Sequence, residues 1–173
     1  MFGSSDPREV IRSGIEFLAS QQPLAKLDLT TIRFLKARYL ANYQVQYVVL
    51  QDIKGQSWRF SFLLTKLHSL WFVKTSAGGP EMVPVEPPEL HGHPWIQLET
   101  LVIANEFYAF GEVFNKGYPV VCVRLLDPGG LMLEDNLQDD IVLFWSEQLP
   151  THPLQLELYD DSGTLVSRQK VSL

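Results

Sequence analysis

Gln44-Val45-Gln46-Tyr47-Val48-Val49-Leu50, then Asp52-Ile53-Lys54-Gly55, then Ser57-Trp58-Arg59-Phe60-Ser61-Phe62-Leu63-Leu64: the reading of this stretch decides the fold. The first run is rich in β-formers and the tetrapeptide is a turn. In the second run Trp58, Phe60, Phe62 and Leu64 alternate with Ser57, Arg59 and Ser61, the period of a strand with one buried face. Lys66 to Ser69 read as another turn, after which Leu70-Trp71-Phe72-Val73-Lys74 supplies a further strand. Upstream, residues 29–40 admit two readings. Leu29, Ile32, Lys36 and Tyr39 fit a helix; Arg33, Leu35, Ala37 and Tyr39 against Phe34, Lys36 and Arg38 fit a strand. The extended sequence that follows favours the strand.

Further upstream, Asp6-Pro7-Arg8-Glu9 is a helix start. Asp6 caps, Pro7 suits the first helical position, and Glu9 has capping-box spacing. Val10, Ile11, Gly14, Ile15 and Leu18 then recur on one helical face, and Gln21-Gln22-Pro23 stops the helix. Downstream, Ser76-Ala77-Gly78-Gly79-Pro80 and Pro84, Pro87, Pro88 and Pro94 read as a linker stiffened by proline. Beyond it, short strands alternate with turn chemistry: Asn115-Lys116-Gly117, Asp127-Pro128-Gly129-Gly130 and Asp160-Asp161-Ser162-Gly163. Leu154, Leu156 and Leu158 alternate with Gln155, Glu157 and Tyr159, one face buried and one wet.

The expected fold is α+β and mainly antiparallel β. An N-terminal helix packs on a curved sheet in residues 1–79, a Pro-rich connector spans 80–95, and a small β-sandwich occupies 96–173. The first part resembles the helix-plus-curved-sheet plan of cystatin-like and nuclear-transport-factor-like domains, including its Trp71-Phe72-Val73-Lys74 strand. The second resembles immunoglobulin-like or transthyretin-like domains, including the closing hairpin from Leu158 to Val166. Both resemblances are architectural and carry no activity.

At 173 residues, 46% hydrophobic and 20% charged, the chain is long enough to bury a real core, and composition excludes disorder, collagen and coiled coil. Cys122 is alone, so a disulfide scaffold is excluded. No apolar run approaches the ~18 residues of a membrane span, and the start lacks a basic segment followed by an apolar one. The expected setting is the cytoplasm, with no membrane partner. The net charge of −6 hides opposite halves. Residues 1–80 hold ten Lys/Arg and five Asp/Glu, a balance of +5; residues 81–173 hold four and fifteen, a balance of −11. Such asymmetry bears on association.

Candidate chemistry is sparse. His91 and His93 alternate on an extended segment and so project to one side, with Glu86 or Glu89 nearby, but no third ligand stands at a recognised spacing. Glu134, Asp135, Asp139 and Asp140, with Asp127, Asp160 and Asp161 in other turns, offer oxygens for a hard cation, yet match no calcium loop. Cys122 sits in the apolar run 120–123 with no adjacent His. Neither a Gly-x-Ser-x-Gly elbow nor a phosphate-binding glycine loop occurs. No cofactor, metal or catalytic residue is therefore expected, and the chain is read as non-enzymatic.

Two sets of residues remain. Lys26, Arg33, Lys36 and Arg38 form the densest basic cluster, and they are the expected partner-binding residues. Aromatic neighbours Phe34, Tyr39 and Tyr43 would suit single-stranded nucleic acid, but a pI near 5.1 argues against a dedicated nucleic-acid binder. The expected function is thus a protein-interaction or assembly module docking through charge-complementary surfaces, with an acidic protein or a second copy of itself as partner. The alternative is a small-molecule or lipid-like ligand in an apolar pocket between helix and sheet. That reading requires roughly 300–1,000 Å³, lined by Tyr47, Trp58, Phe60 and Trp71.

Overall fold

The helix expected at the N-terminus forms as α1, Pro7–Gln21, in a computed structural model that describes residues 2–21, 26–40, 42–81, 84–103 and 105–171, without the side chains of Leu40 and Ile103. The stop at Gln22-Pro23 and the connector residues Met82 and Val83 lie outside the described residues. Asp6 caps as expected, its Oδ1 accepting the Arg8 N–H at 2.8 Å. The capping box is relayed rather than direct. Ser4 Oγ donates to Glu9 Oε2 at 2.6 Å and accepts the Asp6 N–H at 3.1 Å. Val10, Ile11 and Ile15 are buried beneath the helix.

The chain forms two compact units, Met1–Val83 and Pro84–Leu173. In the first, β1 (Leu27–Leu40), β2 (Tyr43–Asp52), β3 (Ser57–Leu67) and β4 (Leu70–Pro80) make one antiparallel sheet in sequence order. Residues 29–40 are therefore strand. Directly opposed residues share a face, so the pairs Val48↔Phe60 and Leu50↔Trp58 place the aromatic stripe of β3 on the side of the helix. Val48, Leu50, Trp58, Phe60, Phe62 and Leu64 form the core with Val10, Ile11 and Ile15.

The strand β1 departs from strict alternation. Between Phe34↔Val48 and Ala37↔Gln46 it carries one extra residue, a bulge. The carbonyls of Leu35 and Lys36 each accept Gln46 Nε2 at 3.1 Å. A buried glutamine on the core face is thereby explained by the backbone it satisfies.

Ser76–Pro80 corrects the linker reading. These residues are the second half of β4 and pair with Trp58–Phe62. A Cβ on Gly78 would stand 2.2 Å from the Arg59 carbonyl oxygen and 2.6 Å from Phe60 Cδ1, so only glycine fits there. Pro80 ends an edge strand, where proline is tolerated.

One helix does not span this sheet. Fifteen residues of α1 reach about 22 Å, whereas the eleven of β3 reach about 36 Å. The chain enters α1 beside Trp71, whose N–H and C=O both bond Ser4. The last turn of α1 ends over Ser76–Gly78.

In the second unit a short 3₁₀ turn, Pro88–Leu90, precedes seven strands: β5 (Trp95–Ile103), β6 (Glu106–Phe114), β7 (Val120–Leu126), β8 (Met132–Asn136), β9 (Ile141–Ser146), β10 (Leu154–Asp160) and β11 (Leu165–Val171). They form a sheet of order β11-β10-β7-β8 and another of order β5-β6-β9. Ile96, Phe107, Ala109, Val142 and Phe144 from one sheet and Val123, Leu125, Leu154, Leu156 and Leu158 from the other make a single core.

Candidate functional site

Where α1 runs out, a cavity of about 160 Å³ opens between helix and sheet. Leu18 and Ala19 of the last helical turn, Leu27 at the start of β1, Trp58 and Phe60 of β3, and Ser76–Gly78 of β4 line it. Trp58 and Phe60 stack with ring centroids 6.3 Å apart and planes 11° from parallel. The volume is about half the lower bound for a drug-sized site. It matches the roughly 150 Å³ known to admit a single aromatic ring in an apolar cavity.

Of the four residues expected to line a pocket, the structure brings Trp58 and Phe60 together there and separates the others. Tyr47 is buried on the opposite face of the sheet, opposed to Ser61. Trp71 stands at the far end of the β3–β4 ladder, opposed to Lys66, whose Nζ lies 5.4 Å from its ring centroid. Sequence reasoning missed Ser76, Ala77 and Gly78, because their glycine-rich composition reads as a linker. The signal that could have found them is the neighbouring strand: a meander of ten- and eleven-residue strands implies a fourth of similar length.

The basic cluster is likewise divided. Lys26 and Arg33 are exposed, Arg38 is half-buried, and Lys36 is buried at 6% exposure, so Lys36 does not belong to an open cationic surface. Two arginines from the helix join the exposed set. Arg8 and Arg12 lie over the Phe34 ring at 5.4 and 5.7 Å, and Arg12 Nη1 donates to the Leu29 carbonyl at 3.2 Å.

In the second unit the acidic side chains mostly serve the fold. Glu86 accepts the Gly92 N–H and Lys116 Nζ, each at 2.9 Å, and these contacts hold its carboxyl below the usual carboxylate range. His91 is solvent-exposed and His93 stacks on Tyr118 at 6.2 Å. Asp127 accepts from the backbone of Thr151 and Leu131, each at 2.7 Å, tying two loops together. Among the described residues no group of three or more His, Cys, Asp or Glu could hold a metal ion. Burial, then the charge of Glu134, pushes the Cys122 thiol up, away from the thiolate a nucleophile needs.

A row of charges crosses the four-stranded sheet. Glu134 on β8, Arg124 on β7, Glu157 on β10 and Arg168 on β11 are directly opposed in register. Arg124 Nε bonds Glu134 at 2.6 Å, and Arg168 reaches Glu157 at 2.7 and 3.0 Å. Tyr159 donates to Glu157 at 2.6 Å. That bond and Arg168, against desolvation, keep the Glu157 pKa low.

The class defined so far is a mostly antiparallel β protein with one N-terminal helix. Among the described residues no helix is long and apolar enough to cross a membrane. No protein-family model, curated protein or solved structure matches the chain.

Proposed function

We propose that the protein is a non-enzymatic interaction module that docks protein partners through charge-complementary surfaces. The observation that carries this is the division of charge between two compact units. The first holds ten Lys/Arg against six Asp/Glu, and the second four against fourteen. Within the second unit Lys116, Arg124 and Arg168 are engaged by Glu86, Glu134 and Glu157, which leaves little positive charge to offset the exposed Glu89, Glu147 and Asp161. Complementary potentials chiefly set partner choice and encounter rate.

The fold reading behind the proposal is a cystatin-like helix on a sheet followed by an immunoglobulin-like sandwich. A preceding helix over a four-stranded meander supports the first. Seven strands in sheets of four and three support the second, with one departure. The fourth strand of an immunoglobulin constant domain joins the sheet of its first, second and fifth; here β8 pairs with β7 instead. A single unpaired cysteine suits the cytoplasm as the place of action.

The test is affinity capture and sedimentation of the full chain, at low and at high salt, beside a Lys26→Glu/Arg33→Glu variant. The proposal expects an acidic partner, or a second copy, that is retained at low salt and lost in the variant. A partner set and an oligomeric state indifferent to both changes contradict it.

The small-ligand reading is favoured by the cavity alone, and its volume confines it to one ring-sized apolar group.

A further inference from the structure

The cavity does not stand alone: it opens beside the unpaired edge of β4. Among the described residues the sheet ends at β4, with no strand on its outer side. The direction of its backbone groups follows from the ladder. The Glu81 N–H donates inward to the Ser57 carbonyl at 2.8 Å. Counting back along the register Trp58↔Pro80, Arg59↔Gly79, Phe60↔Gly78, Ser61↔Ala77 and Phe62↔Ser76, antiparallel alternation turns the N–H and C=O of Gly78 and Ser76 outward. At the other end of the same strand the outward groups of Trp71 already hold an extended segment, the chain's own Ser4, through two bonds of 2.7 and 3.2 Å. The edge therefore accepts added backbone where backbone is offered.

Ser76 and Gly78 face the same side as their partners Phe62 and Phe60, the side of the helix. A residue of an added strand opposed to either one projects its side chain to that side as well. There lies the cavity, walled by Leu18, Ala19, Trp58 and Phe60, and Gly78 presents no Cβ to obstruct it. Charge selects further. At this end of the sheet Lys26 and Lys54 are exposed, joined through the Ile53 N–H to Lys26 carbonyl bond of 2.9 Å, while Glu81 is paired with Arg59 and the Asp28 carboxyl accepts from Thr30. The carboxyl of Asp52 is folded into its own turn by the Lys54 and Gln56 N–H groups.

We propose that the outer edge of β4 at Ser76–Gly78, with the adjoining cavity, is a strand-addition site for an extended acidic peptide that inserts one ring-sized apolar side chain. Main-chain hydrogen bonds give such a site its affinity and the pocket gives it its specificity. This site shares Lys26 with the charged surface of the proposed function, but its backbone groups and its cavity belong to it alone.

The probe is a library of random octapeptides displayed on phage and panned against the full chain, the best enriched sequence then being synthesised. Enrichment of sequences with one aromatic or branched apolar residue among acidic ones is expected. Ser76→Pro removes an N–H that β3 does not use and should weaken binding about tenfold or more, well beyond the effect of Ser76→Ala, which keeps that N–H. Ala19→Phe fills the cavity and should weaken it comparably. Alternate N-methylation of the peptide tests the backbone bonds on the unaltered protein, with the same loss expected. The proposal is overturned if nothing is enriched, if basic or proline-rich sequences are enriched, or if binding survives the N-methylation and Ala19→Phe. Because Arg33→Glu alone leaves Lys26, Lys54 and the β4 backbone intact, failure of charge docking in that variant is read separately from failure here.

Discussion

In the first unit a sheet of strands 10–14 residues long is covered by one 15-residue helix. In the second, strands of 5–9 residues form two sheets that cover each other. A helix advances about 1.5 Å per residue and a strand about 3.3 Å, so the first arrangement is mismatched in length and the second is matched. The mismatch leaves the Trp58 end of the sheet beyond the helix, and the cavity lies there.

The largest expected effects come from breaking each core in turn. Phe62→Ala should destabilise the first unit by about 3–5 kcal/mol, and Leu156→Ala the second by about 2–5 kcal/mol. Denaturant unfolding followed by tryptophan fluorescence and circular dichroism should show each substitution lowering its own transition. A single transition shifted equally by both would contradict two separate cores. Next comes the close approach at β4. Gly78→Ala should cost about 1–3 kcal/mol by forcing Phe60 and the Arg59 carbonyl aside, while Gly79→Ala, with open space around its Cβ, should stay within about 0.5 kcal/mol. Equal effects at the two glycines would deny the contact. Gln46→Ala strands the bulged carbonyls of Leu35 and Lys36 and should cost about 1–3 kcal/mol, read as a lowered midpoint of the first unit alone.

The smallest effect is in the acid range. The folded-state pKa of Glu157 is depressed, by the Tyr159 hydroxyl first and Arg168 after it. Its contribution is therefore complete above the ordinary carboxylate range and is lost as pH falls through the depressed value. Glu157→Gln should flatten the decline of second-unit stability below about pH 4.5 and leave the first unit unchanged. An unaltered acid limb would remove Glu157 from the account.

The helix, the meander and the later hairpins were legible because local chemistry agrees with the final packing. Pro7 and Asp6 begin a helix, Trp58-Phe60-Phe62 alternate, and Asp160 turns a hairpin with Ser162 and Thr164 bonded to its carboxylate. Two features were illegible for physical reasons. A bulge shifts the phase of every residue after it, and nothing local in Leu35-Lys36 announces one. Gly78-Gly79-Pro80 has the composition of a linker, yet it is strand, because the requirement for glycine comes from Phe60, eighteen residues away. The cavity holds Trp58 and Phe60 of the four expected residues and neither Tyr47 nor Trp71. Its size and its β4 wall depend on where the helix ends relative to the sheet, a three-dimensional quantity that periodicity does not encode.

The account rests above all on opposite charge having been divided between the two units for the sake of association. The most direct measurement is the dissociation constant of the captured complex, or of the self-associated form, across a salt titration. The Debye length falls from about 30 Å at 0.01 M to about 3 Å at 1 M. Affinity should decline steeply over that range, and Lys26→Glu/Arg33→Glu should flatten the slope. An affinity constant across the titration and identical in the variant would contradict the account.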